Sequence, residues 1–277
     1  MSSGLKNNFI LKVKEIFWPI ERSEIKLFAP LGLMMLCVLY NFGSLRSIKD
    51  SLVVPNIGAE SISFLKLWLV LPSTILFTLI YVKLSNMFNY EKLFYIIVSS
   101  FLIFFIFFSY VVYPNPDFFH PSTKVIERLI SLYPNCKWFL LIAQKWSYAL
   151  MYIFCELWSA VVINLLFWQY ANHIFDTASA KRFYPLLAMI GNIGLIIAGN
   201  FLVSFSSLSG VSDTVMANYA TDIQYQCEHV LKPMIKTICF SGVLAMFLYM
   251  YIERYVLKER KLQKSFIKSK DETKTTL

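Results

Sequence analysis

The chain has 277 residues, of which 57% are hydrophobic and 17% aromatic. Because apolar runs long enough to cross a bilayer recur along it, this composition excludes an ordinary soluble domain and is typical of polytopic membrane proteins. The net charge is +9, but eight of the 26 Lys and Arg residues lie in the last 25 positions, beside an apolar segment. That distribution is typical of a cytoplasmic tail and speaks against nucleic acid as a partner.

The sequence predicts an all-α polytopic membrane protein with six transmembrane helices. Crossing a bilayer takes about 20 predominantly apolar residues, and six segments meet that length. In chain order they cover residues 27–45, with helical continuation to Pro55, and then 64–84, 93–113, 138–168, 183–205 and 234–252. We assign residues 27–253 to one membrane domain, between an N-terminal tail, 1–26, and a basic tail, 254–277.

Several of these segments carry more specific signals. Pro72 predicts a kink in the second segment. The third, FYIIVSSFLIFFIFFSYVVY, is the most uniformly apolar and is expected to face lipid. The fifth contains Gly191, Gly194 and other small residues that allow helices to approach closely. Between the third and fourth segments, a short surface helix is predicted over residues 124–132.

The orientation follows from the basic residues in the connections. With the N-terminus inside, the inner side holds 17 Lys and Arg residues and the outer side holds six. Cytoplasmic connections of membrane proteins carry the excess of positive charge. We therefore expect both termini in the cytoplasm, as an even number of spans requires.

A polar stripe runs along the fourth segment. An ionisable side chain at bilayer depth costs roughly 2.5–3.5 kcal/mol, so Glu156 is expected to face the bundle interior or a wet cavity. Glu156 could alternatively be a structural partner for a buried cation such as Lys145 or Lys66. The stripe follows helical spacing over Lys145, Tyr148, Tyr152, Glu156 and Ser159.

A second charged group follows the first segment. Arg46, Lys49 and Asp50 are related by i, i+3 and i+4, so they share a face if the helix continues past Leu45. They would then form a cationic patch suited to an anion, in which Asp50 neutralises one cation and leaves the other free. Alternatively, the span ends at Leu45 and these residues form a solvated loop with a weak ion pair.

Four aromatic residues follow Glu156 along the same segment: Trp158, Phe167, Trp168 and Tyr170. Aromatic rings of this kind can stack on a nucleobase. Trp and Tyr near the ends of membrane spans more often form a belt at the membrane interface. Both interpretations are open from the residues alone.

The sequence lacks the usual motifs of enzymes and metal sites. No glycine begins a GxxxxGK[ST] phosphate-binding loop, and no acid–base–nucleophile trio stands out. His120, His173 and His229 lie in connections without a partner ligand at i, i+4, so we expect solvated or interfacial side chains. We therefore predict neither an enzyme nor a cofactor. Cys136 and Cys227 fall in outer segments and could pair, which the spacing does not decide.

Four stretches of the sequence resemble one family. They are FWPIERSE (17–24), LRSIKDSLVV (45–54), CELWSAVVINLLFWQYAN (155–172) and AKRFYPLLAMIGNIGLIIAGN (180–200). The second is similar to the Arg-x-x-Lys-Asp pattern, and the third to the Glu-Leu-Trp pattern, of the ATP/ADP translocases of obligate intracellular bacteria and plastids. The resemblance runs in register over about residues 17–255, which is more specific than any single motif.

The resemblance implies a carrier of major-facilitator-like architecture in the bacterial inner membrane, exchanging ATP and ADP by alternating access without hydrolysis. In that family, the residues matching Lys49 and Glu156 are implicated in transport. Family members have twelve spans in two halves, whereas six are predicted here. The expected partners are therefore nucleotides, the lipid bilayer and a second six-helix half or another chain. The alternatives are a non-transporting remnant, an interaction partner of a full-length relative, or a carrier for another organic anion.

Overall fold

A computed structural model describes residues 20–207 and 227–258, and within these ranges six helices are long and apolar enough to cross a membrane. The predicted all-α membrane fold is confirmed. The spanning helices are α1 (Arg22–Asn56), α2 (Ser61–Met87), α3 (Tyr90–Val112), α7 (Trp146–Ile174), α8 (Thr177–Ser207) and α9 (His229–Leu257). Three shorter helices join α3 to α7: α4 (Pro116–Phe119), α5 (Thr123–Leu132) and α6 (Lys137–Gln144). The tail before residue 20, most of the 206–231 loop and the tail after residue 258 lie outside the described residues.

Helix α1 continues well beyond its apolar segment. It runs for 35 residues to Asn56, so the alternative in which it ends at Leu45 is wrong. Its last turn closes onto Gly58, whose amide donates to the carbonyl of Val53 at 3.3 Å and whose φ of 111° lies in the left-handed region that favours glycine. The charged residues after Leu45 therefore belong to a transmembrane helix.

Helix α1 is the centre of the bundle and packs against α7, α8 and α9. The indole of Trp158 in α7 donates to the carbonyl of Val38 at 3.3 Å. On another face, Ser241 of α9 donates to the carbonyl of Cys37 at 3.1 Å. Val38 contacts Trp158, whereas Lys49, later in α1, contacts Glu156, earlier in α7, so these two helices are antiparallel. This matches a chain that crosses the membrane in alternate directions.

The small residues of α8 let it lie against α1, as the sequence predicts. An ideal Cβ added to Gly194 would lie 2.4 Å from the carbonyl oxygen of Leu36, and one added to Gly191 would lie 2.4 Å from the side chain of Leu39. At Gly194, where the contact is with backbone, only glycine permits this approach, whereas at Gly191 the Leu39 side chain could move aside. Gly199 is different, because a Cβ there would meet nothing within 4 Å.

Helix α3 has an exposed face, which includes Ile103 and Phe107, and a buried face, so the expectation that it faces lipid can apply to the first face only. Phe101 and Phe105 are buried, and Phe104 stacks on Phe154 of α7 with ring centroids 3.8 Å apart. The most exposed span is α2, which buries 11% of its most apolar window against 44% for α3. Apolar composition does not separate these roles, because lipid and a membrane-protein core are both apolar surroundings.

The predicted fourth segment, 138–168, is two helices instead of one. The backbone breaks at Lys145, with φ −105° and ψ 39°, between α6 and α7. The end of α4 contacts this break: the indole of Trp146 donates to the carbonyl of Phe119, the last residue of α4, at 2.6 Å. Lys145 thus precedes α7 and does not continue its polar stripe. The predicted surface helix over residues 124–132 is confirmed as α5.

The predicted kink in α2 coincides with a change of helix type. Residues Leu65–Val70 form a π-helical stretch immediately before Pro72. A proline ring clashes with the carbonyl four residues earlier in a regular α-helix, and the wider turn relieves that clash.

We expect Gly194→Ala to lower the stability of the bundle by roughly 1–3 kcal/mol, because the new methyl group would meet the α1 backbone. Gly199→Ala is the matched control and should be neutral or slightly stabilising, since alanine is the better helix former. Thermal unfolding of the purified chain in detergent measures both. Equal melting temperatures for the two variants would contradict the close packing of α1 on α8.

Candidate functional site

The charged residues of the two helices meet at one point in the bundle. The Nζ atom of Lys49 lies 2.8 Å from a carboxylate oxygen of Asp50 and 3.1 Å from Oε1 of Glu156. The Lys49 side chain is only 8% exposed, whereas Asp50 is 45% and Glu156 25% exposed. A buried ammonium group held between two carboxylates therefore joins α1 to α7.

Tyr152 completes the surroundings of the ammonium group. It precedes Glu156 by one helical turn, so both side chains lie on the same face of α7. The Nζ atom of Lys49 is 4.2 Å from the centroid of the Tyr152 ring. A cation over the face of an aromatic ring is attracted by the ring quadrupole, by about 0.5–2 kcal/mol. The sequence places Tyr152 on the stripe but gives no sign of this contact.

The structure identifies the partner of Glu156. Both suggested cations are wrong: Lys66 is exposed on α2, and Lys145 lies at the helix break with its Nζ atom 5.9 Å from the Tyr148 ring centroid. The cation is Lys49, which is distant in sequence. A pair of this kind depends on the packing of two helices, and helical spacing reports only which residues share one helix.

Arg46 lies outside the ion-pair cluster. Its side chain is exposed, and it forms none of the ion pairs found in residues 20–207 and 227–258. Asp50 thus neutralises Lys49 and leaves Arg46 available, one helical turn away. The exposed Arg46 guanidinium can bind an anion first. The Lys49 ammonium group can bind the same anion once Asp50 or Glu156 no longer pairs with it.

The four aromatic residues do not form one stacking surface. Trp158 and Phe167 are fully buried, and the Trp158 ring packs edge-on against Phe101 with centroids 5.8 Å apart. Trp168 is half-buried against Tyr184, and Tyr170 is buried near the end of α7. For Trp158 and Phe167, core packing replaces both the base-stacking and the interfacial interpretations.

The histidines and cysteines of the described residues do not gather into a metal site. His173 and His229 are exposed, as predicted, but His120 is partly buried, and its Nε2 atom lies 2.7 Å from the hydroxyl of Ser147. Among the described residues, no group of three or more His, Cys, Asp or Glu side chains could hold a metal ion. Cys136 carries a free, exposed thiol, and the side chain of Cys227 lies outside the described part.

Comparison with known proteins identifies the family. The family described as TLC ATP/ADP transporter matches residues 4–277. This chain belongs to that family. ADP,ATP carrier protein 3 of Rickettsia prowazekii (strain Madrid E) is 61% identical over 249 residues, which cover 90% of this chain and 50% of the relative. The same-named protein of Rickettsia bellii (strain RML369-C) is 57% identical over 274 residues, covering 97% and 54%.

A more distant relative in the TLC family is ADP,ATP carrier protein 1 of Rickettsia prowazekii, 48% identical over 206 residues, or 73% of this chain and 41% of the relative. No solved structure matches the chain. The chain spans about half the length of the curated relatives it matches. The ion-pair cluster thus lies in a six-helix unit of the TLC family.

We expect Lys49→Met to destabilise the bundle by roughly 2–4 kcal/mol, because the two carboxylates then face each other without their shared cation. Glu156→Gln should cost less, since Lys49 keeps Asp50. The matched control is Lys66→Met on exposed α2, which should not lower stability. Chemical denaturation of the purified chain measures all three. A Lys49→Met variant as stable as the control would contradict a buried, paired ammonium group.

His120 predicts a pH dependence of stability. Burial, with a smaller contribution from Lys145, lowers the pKa of His120 below its ordinary value. As the pH falls below about 6.5, the unfolded chain therefore takes up this proton before the folded chain does, and the folded state loses stability. Between pH 8 and pH 5, the melting temperature of His120→Gln should fall less than that of the wild type. Identical losses would contradict burial of a neutral imidazole.

Proposed function

We propose that this chain carries ATP and ADP across the bacterial inner membrane by alternating access, as the N-terminal six-helix half of a twelve-helix antiporter. Membership of the TLC family and the names of its relatives, which are ADP,ATP carrier proteins, support nucleotides as the cargo. The observation that carries the proposal is the buried ion pair between Lys49 of α1 and Glu156 of α7. Ionisable groups inside a membrane bundle commonly mark the path of a charged substrate.

In this proposal, the nucleotide phosphates compete with the carboxylates of the cluster. Arg46 is exposed and binds the incoming phosphate first, because a guanidinium presents two parallel N–H donors to it. The phosphate then replaces Glu156 or Asp50 beside Lys49. Releasing Glu156 removes the ionic contact between α1 and α7, and the two helices become free to change their relative position.

The same exchange accounts for antiport without hydrolysis. In the empty state, Glu156 returns to Lys49 and the link between α1 and α7 forms again. A ligand shifts a conformational equilibrium only through its different affinity for the two states. Because the phosphate takes the place of Glu156, the bound nucleotide favours the state in which the link is broken. Return of the carrier then requires a second nucleotide.

A second six-helix unit would cover the exposed faces of this one. In the most apolar 18-residue stretch of each helix, only 11% of the residues of α2 and 28% of those of α8 are buried. Between Ser147 and Trp168 of α7, the exposed side chain is the amide of Asn164, a polar group that lipid would not solvate. We propose that these faces contact the second unit or the aqueous pathway. The excess of Lys and Arg in the connections on the side of the termini supports a cytoplasmic location for both.

Uptake of labelled ATP tests the proposal. The chain is expressed in bacteria together with the part of a full-length ADP,ATP carrier protein 3 that it does not cover, and cells preloaded with ADP are compared with unloaded cells. We expect uptake that depends on internal ADP and falls at least about 100-fold in Lys49→Ala and Glu156→Gln, as when buried charged partners are lost. Arg46→Ala should mainly raise the ATP concentration needed for half-maximal uptake.

The matched control is Arg128→Ala on the exposed surface of α5, which should transport normally. Normal uptake by folded Lys49→Ala and Glu156→Gln would refute the site. Uptake that is inhibited equally by non-nucleotide organic anions would refute nucleotide specificity. No ADP-dependent uptake by the co-expressed wild type would refute the transport function and favour a remnant or an interaction partner.

A further inference from the structure

A cavity of about 240 Å³ lies where α2, α7 and α9 end and α3 begins. It is well separated from Lys49, because Tyr170 in its wall follows Glu156 by 14 residues, or about 21 Å along the axis of a regular helix. Nine of its lining residues have polar side-chain atoms: Tyr81, Asn89, Tyr90, Glu91, Gln169, Tyr170, His173, Tyr249 and Glu253. Nothing in the transport proposal uses this cavity.

Aromatic rings form one side of the cavity. The ring of Tyr249 lies between Tyr170 and Phe94, with centroids 4.4 Å from each. Tyr81 is held in place by a hydrogen bond from its hydroxyl to the amide oxygen of Gln169. Phe94 and Tyr170 cover the two faces of the Tyr249 ring, so these rings form a rigid apolar wall beside the polar groups of the cavity.

The cavity also carries negative charge from Glu91 and Glu253, each about one helical turn from a ring of the wall. Glu253 forms none of the ion pairs found among the described residues. Glu91 has a partner, Arg254, but at 3.7 Å and with the guanidinium 64% exposed, so this pair contributes little. The cavity therefore contains a carboxylate that no described cation neutralises.

Tyr170 provides an independent indication of a ligand. The residue is 6% exposed, and its buried hydroxyl lies near the Glu253 carboxylate but makes no hydrogen bond of ordinary geometry among the described residues. A buried hydroxyl without a partner is costly, by about 1–3 kcal/mol. A ligand with an N–H donor between this hydroxyl and the carboxylate would satisfy both groups.

We propose that this cavity binds an alkylammonium group, supplied either by the ethanolamine head group of a membrane lipid or by a free amine. The ammonium group pairs with Glu253 and donates to the Tyr170 hydroxyl, and its alkyl part lies against the apolar wall. The carboxylates would repel the phosphates of a nucleotide, so this is not a second cargo site. The position at the helix ends puts it level with lipid head groups.

Thermal unfolding of the purified full chain tests the proposal in two arms. The first adds tetramethylammonium or ethanolamine to detergent solution, against sodium chloride at equal ionic strength. The second compares nanodiscs of phosphatidylglycerol alone with nanodiscs that also contain phosphatidylethanolamine. We expect the melting temperature to rise in at least one arm, because a ligand that binds the folded state stabilises it.

The variants identify the site. Glu253→Gln should weaken the apparent affinity about tenfold or more, and Tyr170→Phe should weaken ethanolamine binding more than tetramethylammonium binding, since only ethanolamine has N–H donors. Glu60→Gln, an exposed carboxylate before α2, is the matched control. Stabilisation in the lipid arm alone assigns the head group, and stabilisation by the free amines assigns a soluble ligand. No rise in either arm, or an equal rise in Glu253→Gln, would overturn the proposal.

Discussion

The burial of the Lys49 ammonium group constrains the rest of the structure. A charge inside a membrane bundle is tolerated only when it is paired and hydrogen-bonded. Asp50 is its neighbour in sequence, but Glu156 reaches it only if α1 continues as a helix past Leu45 and packs antiparallel to α7. The glycines of α8 then allow a third helix to lie against α1. The ion pair of the proposed site and the packing of the bundle therefore depend on the same helix positions.

This dependence explains which features the sequence could predict. Helical spacing correctly groups Lys49 with Asp50 and Tyr152 with Glu156, because residues on one face of one helix are fixed by local geometry. It could not pair Lys49 with Glu156, since that contact depends on how two helices pack. For the same reason the exposed span is α2 and not the more apolar α3, and the break at Lys145 depends on a contact from outside the helix.

The two ends of α7 differ in chemistry. Near its start, Glu156 belongs to a cluster in which two carboxylates share the Lys49 ammonium group, and in the proposed cycle a phosphate replaces one of these carboxylates. Near its end, Tyr170 and Glu253 line a cavity with an excess of negative charge. The first arrangement suits a link that forms and breaks during transport, and the second suits a ligand that holds the ends of α2, α3, α7 and α9 together. A carrier needs both a changeable contact and a rigid unit around it.

The most direct test of the central claim is a double-mutant cycle between Lys49 and Glu156, measured as unfolding free energy with and without saturating ATP. The account predicts a coupling energy of roughly 1–3 kcal/mol between Lys49→Met and Glu156→Gln without ATP. That coupling should fall towards zero when ATP is bound, because a phosphate has replaced Glu156. Additive effects without ATP, or a coupling that ATP leaves unchanged, would contradict it.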